Sequence, residues 1–140
     1  MTAAAMYLPQ VLALVALSFL TGLVILVTRL ADLLRHGRPL AFYEEFDGSG
    51  APRSVLRPTR QLANQFEFPV LFHVLVAIAI AIPVHDSGLA GLAWAYVALR
   101  WAHAASHLVG NRLYVRTPVF MAGSLVLLAM WTVLGLAVLG

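Results

Sequence analysis

Arg60, Asn64 and Glu67 stand at i, i+4 and i+7 in RQLANQFEFP, just ahead of the apolar stretch 70–84. At about 100° per residue a helix puts these three side chains on one stripe. A second set, Tyr96, Arg100, His103, His107, Asn111 and Tyr114, recurs at intervals of four, three, four, four and three. That spacing is also a single helical stripe. Arginine is always charged, and its planar fork matches carboxylates, so two such stripes with amide and imidazole partners suit an anionic ligand. Ionisable groups next to long apolar runs are expensive in hydrocarbon, which points to a role beyond stability. For Glu67 and Arg100 the alternative is a buried ion pair that fixes helix packing.

Other chemistries fit less well. His103 and His107 lie four apart and with Glu67 would make three metal ligands. No adjacent general-base Glu and no Cys support that reading, and a facing arginine cluster disfavours a cation, so no metal is expected. The chain has no cysteine, which removes a thiol nucleophile and any disulfide. It also has no GxSxG elbow and no Gly-rich phosphate loop. A cavity without a nucleophile of its own is better suited to a ligand whose own atoms react. His73 falls about 140° from the Arg60 stripe and reads as a packing residue. His36 and His85 fall in loops, and Trp94, Trp101 and Trp131 read as packing or lipid contacts.

The elements that must position these residues follow from composition. The 140 residues are 61% hydrophobic and 11% charged, with a mean hydropathy of +0.88. A soluble domain is roughly half apolar and a quarter charged, so an all-α integral membrane protein is expected. Apolar runs cover residues 7–27, 62–84, 89–109 and 119–139. Each is about the 20 residues needed to cross a hydrocarbon core. A single domain over 1–140 is expected, a four-transmembrane-helix bundle with helices at about 7–28, 61–84, 88–111 and 118–139. Pro39, Gly48, Gly50, Pro52 and Pro58 mark the connection 29–60 as mostly irregular. The first run lacks a basic start and a small-residue cleavage site, so it reads as a retained helix.

Arginine placement predicts orientation. Arg29, Arg35, Arg38, Arg53, Arg57 and Arg60 belong to the first connection, Arg112 and Arg116 to the third, and the second carries none. The positive-inside rule then makes loops 29–60 and 110–118 cytoplasmic and both termini non-cytoplasmic. The net charge of +3 and a pI near 10.0 are topology and anionic-lipid signals, and nucleic acid is not implied. Both polar stripes fall in the same leaflet. Glu67 lies about 10 Å in from Arg60, and Arg100 about 16 Å in from Asn111, which predicts a Glu67–Arg100 ion pair. Polar stripes need protein cover on every side, and association of chains supplies it.

The pattern Arg60-x-x-x-Asn64-x-x-Glu67-x-Pro69 resembles the hallmark of the MAPEG family, the membrane-associated proteins of eicosanoid and glutathione metabolism. A second block, from Arg100 through His103, His107, Asn111 and Arg112 to Arg116, is similar to that family's third helix and following turn. The resemblance implies a left-handed four-helix bundle packed as a homotrimer, with glutathione as co-substrate between subunits. It implies glutathione contacts from Arg60, Asn64, Glu67, Arg100, His103, His107, Asn111, Arg112 and Thr117, and a further one from Arg29. Arg116 matches the arginine that stabilises the thiolate and is the catalytic candidate. His107 stands where better-known members have Tyr. The run NQFEFPVLFHVL resembles a bacterial branch of the family, which implies a bacterial inner membrane.

Elementary electrostatics supports the Arg116 role. A thiol near pKa 8.5 must drop about two units to ionise at neutral pH, roughly 2.7 kcal/mol. One guanidinium at about 4 Å supplies on the order of 4 kcal/mol at an effective dielectric of 20. Thr117 followed by Pro118 predicts a helix start, with Thr117 as N-cap and Arg116 beside the positive end. The expected activity is a membrane-bound glutathione-dependent transferase or peroxidase acting on small lipophilic substrates. The alternative is a non-catalytic membrane protein binding an anionic lipid or metabolite.

Overall fold

Thr2 opens the first helix by accepting the Ala5 amide on its hydroxyl at 3.2 Å. The computed structural model describes residues 2–44, 46–110 and 112–139. Helix α1, Ala3–His36, continues well past its expected end near residue 28. Nothing in the sequence stops it earlier. Gly37 takes the left-handed conformation at φ 59° and donates its N–H to the Leu33 carbonyl at 3.0 Å, while Arg35 and His36 complement the helix dipole. A single turn, α2 (Ala41–Glu44), precedes α3 (Arg53–Ala63). A 3₁₀ turn, Asn64–Phe66, leads into α4 (Phe68–Ala81), then α5 (Ser87–Val109) and α6 (Leu113–Leu139).

Among the described residues every regular element is helical, and three segments are long and apolar enough to cross a membrane: Ala3–His36, Arg53–Ala81 and Leu113–Leu139. At 23 residues, α5 is also long enough, about 34 Å, but Arg100, His103 and His107 dilute its apolar character. It packs most extensively on α6, and α1 lies against α3, α4 and α5. The core contains Tyr7, Leu14, Phe72, Leu75, Leu89 and Met130. Tyr96 stacks on Phe72 with ring centroids 5.0 Å apart. In a bilayer such contacts stabilise through close packing rather than through leaving water. The outer faces carry exposed Phe19, Leu26, Leu125, Leu128 and Leu136.

The second apolar stretch is broken rather than continuous. Pro69 has no N–H for the Gln65 carbonyl, and its ring would collide with that carbonyl in an unbroken helix. The chain answers with the 3₁₀ turn and then Glu67 at φ −99°, ψ −111°, outside helical geometry. Arg60 and Asn64 therefore share the end of α3, and Glu67 occupies the joint itself.

The first connection is more ordered than its prolines and glycines suggest. Asp32, 3% exposed, accepts the Tyr43 hydroxyl at 2.7 Å and pairs with Arg38 Nε at 2.8 Å and His36 Nδ1 at 3.0 Å. His36 thus belongs to the last turn of α1 rather than to a loop. Arg38 also donates to the Gly50 carbonyl at 2.9 Å and lies over the Phe42 ring. Burial, and then the Asp32 carboxylate, holds the Tyr43 phenol above its ordinary range. Asp32→Ala removes three partners at once and is expected to free the segment 38–50, with at least tenfold faster amide exchange there, about 1.4 kcal/mol. Unchanged exchange across that segment would show that Asp32 does not hold it.

Candidate functional site

The break at Pro69 and the turn between α5 and α6 bring three polar surfaces together. A cavity of about 420 Å³ is lined by Arg60 and Ala63 from α3, Asn64 from the 3₁₀ turn, Glu67 from the joint, His103 and His107 from α5, and Arg116, Thr117 and Phe120 from α6. That volume is within the roughly 300–1,000 Å³ usual for small-molecule sites. His103 and His107 are buried, with ring centroids 6.1 Å apart, and His103 lies 5.7 Å from the Phe120 ring. Phe68 packs edge-on against Phe120 at 5.4 Å. A neighbouring cavity of about 460 Å³, lined by Arg53, Leu56, Arg57, Arg60, His107, Gly110 and Arg116, shares three residues with the first. The arginine-bearing first and third connections therefore meet at one end of the molecule.

Seven of the residues singled out by spacing and resemblance, Arg60, Asn64, Glu67, His103, His107, Arg116 and Thr117, line one cavity. Others are placed differently. Arg100 is 3% exposed and donates to the Asn64 carbonyl at 3.0 Å, so the expected ion pair with Glu67 does not form. The physical reason is the helix break, which takes Glu67 out of helical geometry and leaves a carbonyl to be satisfied. A charged donor at a freed carbonyl answers a polar group that the apolar layer cannot solvate. Arg29 lies over the rings of Tyr43 and Phe46, at 5.3 and 4.6 Å, and outside the cavity. Arg112 is exposed and contributes its carbonyl to the amides of Val115 and Arg116, each at 3.0 Å. Asn111 lies outside the described residues. Tyr114 is 72% exposed, because the α5 stripe ends where that helix does, and Tyr114 belongs to α6.

Thr117 is not an N-cap. Helix α6 begins at Leu113, with its first turn closing on the Arg112 carbonyl, so Thr117 and Pro118 lie inside it. A proline in the second turn forfeits one bond, to the Tyr114 carbonyl, which is a smaller penalty than at mid-helix. Arg116 stays in the first turn, near the positive end of the helix.

Spacing arguments missed Phe120, Ala63, Arg53 and Arg57. Phe120 and Ala63 carry no polar signal. Arg53 and Arg57 do: they stand at i−7 and i−3 from Arg60, so the stripe extends backwards along α3.

This all-helical membrane protein thus gathers a carboxylate, an amide, two imidazoles and two guanidinium groups around one cavity. The MAPEG family model matches residues 7–136, and the chain belongs to the MAPEG family. No curated protein and no solved structure matches it significantly.

Proposed function

We propose that the chain is a glutathione-dependent transferase or peroxidase of the membrane, with glutathione as co-substrate in the 420 Å³ cavity. The observation that carries this reading is the convergence of Glu67, Asn64, Arg60 and Arg116, drawn from different elements, on one cavity. Glutathione offers an ammonium to Glu67, a peptide to Asn64, carboxylates to Arg60 and a thiol to Arg116. Arg116 acts electrostatically: the thiol proton leaves to water and the guanidinium holds the sulfur as thiolate. The sulfur then forms a bond to an electrophilic carbon as the leaving group departs with its electron pair, or it attacks a hydroperoxide oxygen, breaking the O–O bond to release the alcohol and leave a sulfenic acid, which a second glutathione converts to the disulfide and water. An apolar groove of about 470 Å³ between α1 and the end of α3, lined by Phe19, Leu23, Leu26, Leu62 and Phe66, suits approach of a lipophilic substrate from the bilayer.

The cavity is open on one side, and Arg60, Ala63 and Glu67 are exposed in the single chain. A neighbouring chain in a homotrimer of four-helix bundles would cover them, with α5 as a fourth span. In this reading both termini are non-cytoplasmic in a bacterial inner membrane.

Ultraviolet difference absorption on adding glutathione tests the proposal. A saturable thiolate signal at neutral pH, accompanied by conjugation of a reactive aryl halide, is expected. Thermal stabilisation by glutathione without thiolate or turnover would instead identify a non-catalytic binding protein and sink the enzymatic reading.

A further inference from the structure

Helix α3 concentrates positive charge beyond the glutathione site. Arg53, Arg57 and Arg60 fall within about 60° of arc, while Val55, Pro58 and Gln61 form the buried face of the same helix. The arginine stripe opens into the 460 Å³ cavity, which Arg116 enters from α6. Among the described residues four guanidinium groups line it and no carboxylate does. No carboxylate among the described residues forms an ion pair with Arg53, Arg57 or Arg60. The Nε of Arg57 is buried and makes no hydrogen bond within the protein.

The number of forks discriminates between anions. A carboxylate has two oxygens and is matched by one or two arginines, whereas a terminal phosphate has three acceptor oxygens and up to two negative charges. We propose that the second cavity binds a phosphate group, held by Arg53, Arg57 and Arg60. Arg60 lines both cavities, so the phosphate shares that guanidinium with whichever thiol occupies the first, while Arg53 and Arg57 belong to the second alone. Two sources carry this chemistry, the headgroup of a phosphomonoester lipid and a free phosphate compound.

Calorimetric titration of the full chain in detergent with inorganic phosphate, at constant ionic strength and with acetate as control, tests the site. Saturable phosphate binding with Arg57→Ala weakening it at least tenfold is expected, together with an unchanged thiolate signal from glutathione in that variant. Arg53→Gln, at an exposed position, is expected to weaken phosphate severalfold and serves if Arg57→Ala does not fold. Phosphate binding no tighter than acetate, or equal in the wild type and the variants, overturns the proposal. Repeating the titration in phosphatidylcholine nanodiscs with and without phosphatidic acid separates the sources. Competition by phosphatidic acid supports the site with a lipid headgroup as its occupant, and undiminished phosphate binding supports it with a free phosphate compound.

Discussion

Arg116→Ala is expected to abolish the thiolate absorption of bound glutathione at neutral pH and to lower aryl halide conjugation by roughly two to three orders of magnitude. The size follows from the on the order of 4 kcal/mol that one guanidinium contributes near a thiolate, at about 1.4 kcal/mol per decade of rate. The effect belongs in kcat, because the charge appears only when the thiol ionises, and the contacts proposed for Asn64 and Glu67 are untouched by the substitution. Arg116→Lys keeps the charge but not the fork, and is expected to retain part of the signal. A full thiolate signal in Arg116→Ala would move the catalytic role to another residue, with Arg60 next in line because it lines the same cavity.

The largest effect on stability is expected at Arg100. This side chain is almost fully buried and donates to the Asn64 carbonyl. Arg100→Ala leaves that carbonyl without its charged donor in an apolar layer and opens a void between α3 and α5, with a loss of roughly 3 kcal/mol. Thermal unfolding in detergent should show a clear fall in Tm, accompanied by weaker glutathione binding, since Asn64 sits at the same turn. Arg100→Lys can reach the carbonyl with only a single ammonium and is expected to recover stability in part. An unchanged Tm in Arg100→Ala would mean that the broken turn finds another donor and that Arg100 has a different task.

The contrast between Arg100 and Arg116 shows which features were legible in the sequence. Stripe residues up to the break, Arg60 with Asn64, and those on α5, His103 with His107, line one cavity as their spacing predicts, because the 3.6 period holds where backbone hydrogen bonds are still helical. Glu67 and Arg100 had been paired by assuming the same period across Pro69. The resulting kink replaces their ion pair with a side chain to backbone bond, and periodicity carries no information about that exchange. Thr117 and Pro118 show the opposite limit: a good N-cap signal was overridden because the first turn of α6 already closes on the Arg112 carbonyl. Arg29 matched a motif position, yet it lies over Tyr43 and Phe46, which the first connection folds back against α1 through Asp32. That is a long-range arrangement with no local signature. Arg53 and Arg57 were visible as charge, and reading them only as topology signals hid their place on the stripe.

The joint at residues 64–67 also decides how the protein meets membranes of different thickness. A helix accommodates a mismatched bilayer by tilting or kinking, and a break without regular backbone bonds is where such a rotation is absorbed. Helix α4 can therefore change its tilt about Glu67 while α3 keeps its arginines in register with α5 and α6. Glu67 is at once the joint and part of the cavity wall, and Phe68 of α4 packs on Phe120, so a change in the tilt of α4 with lipid composition is expected to reach the cavity through these two residues.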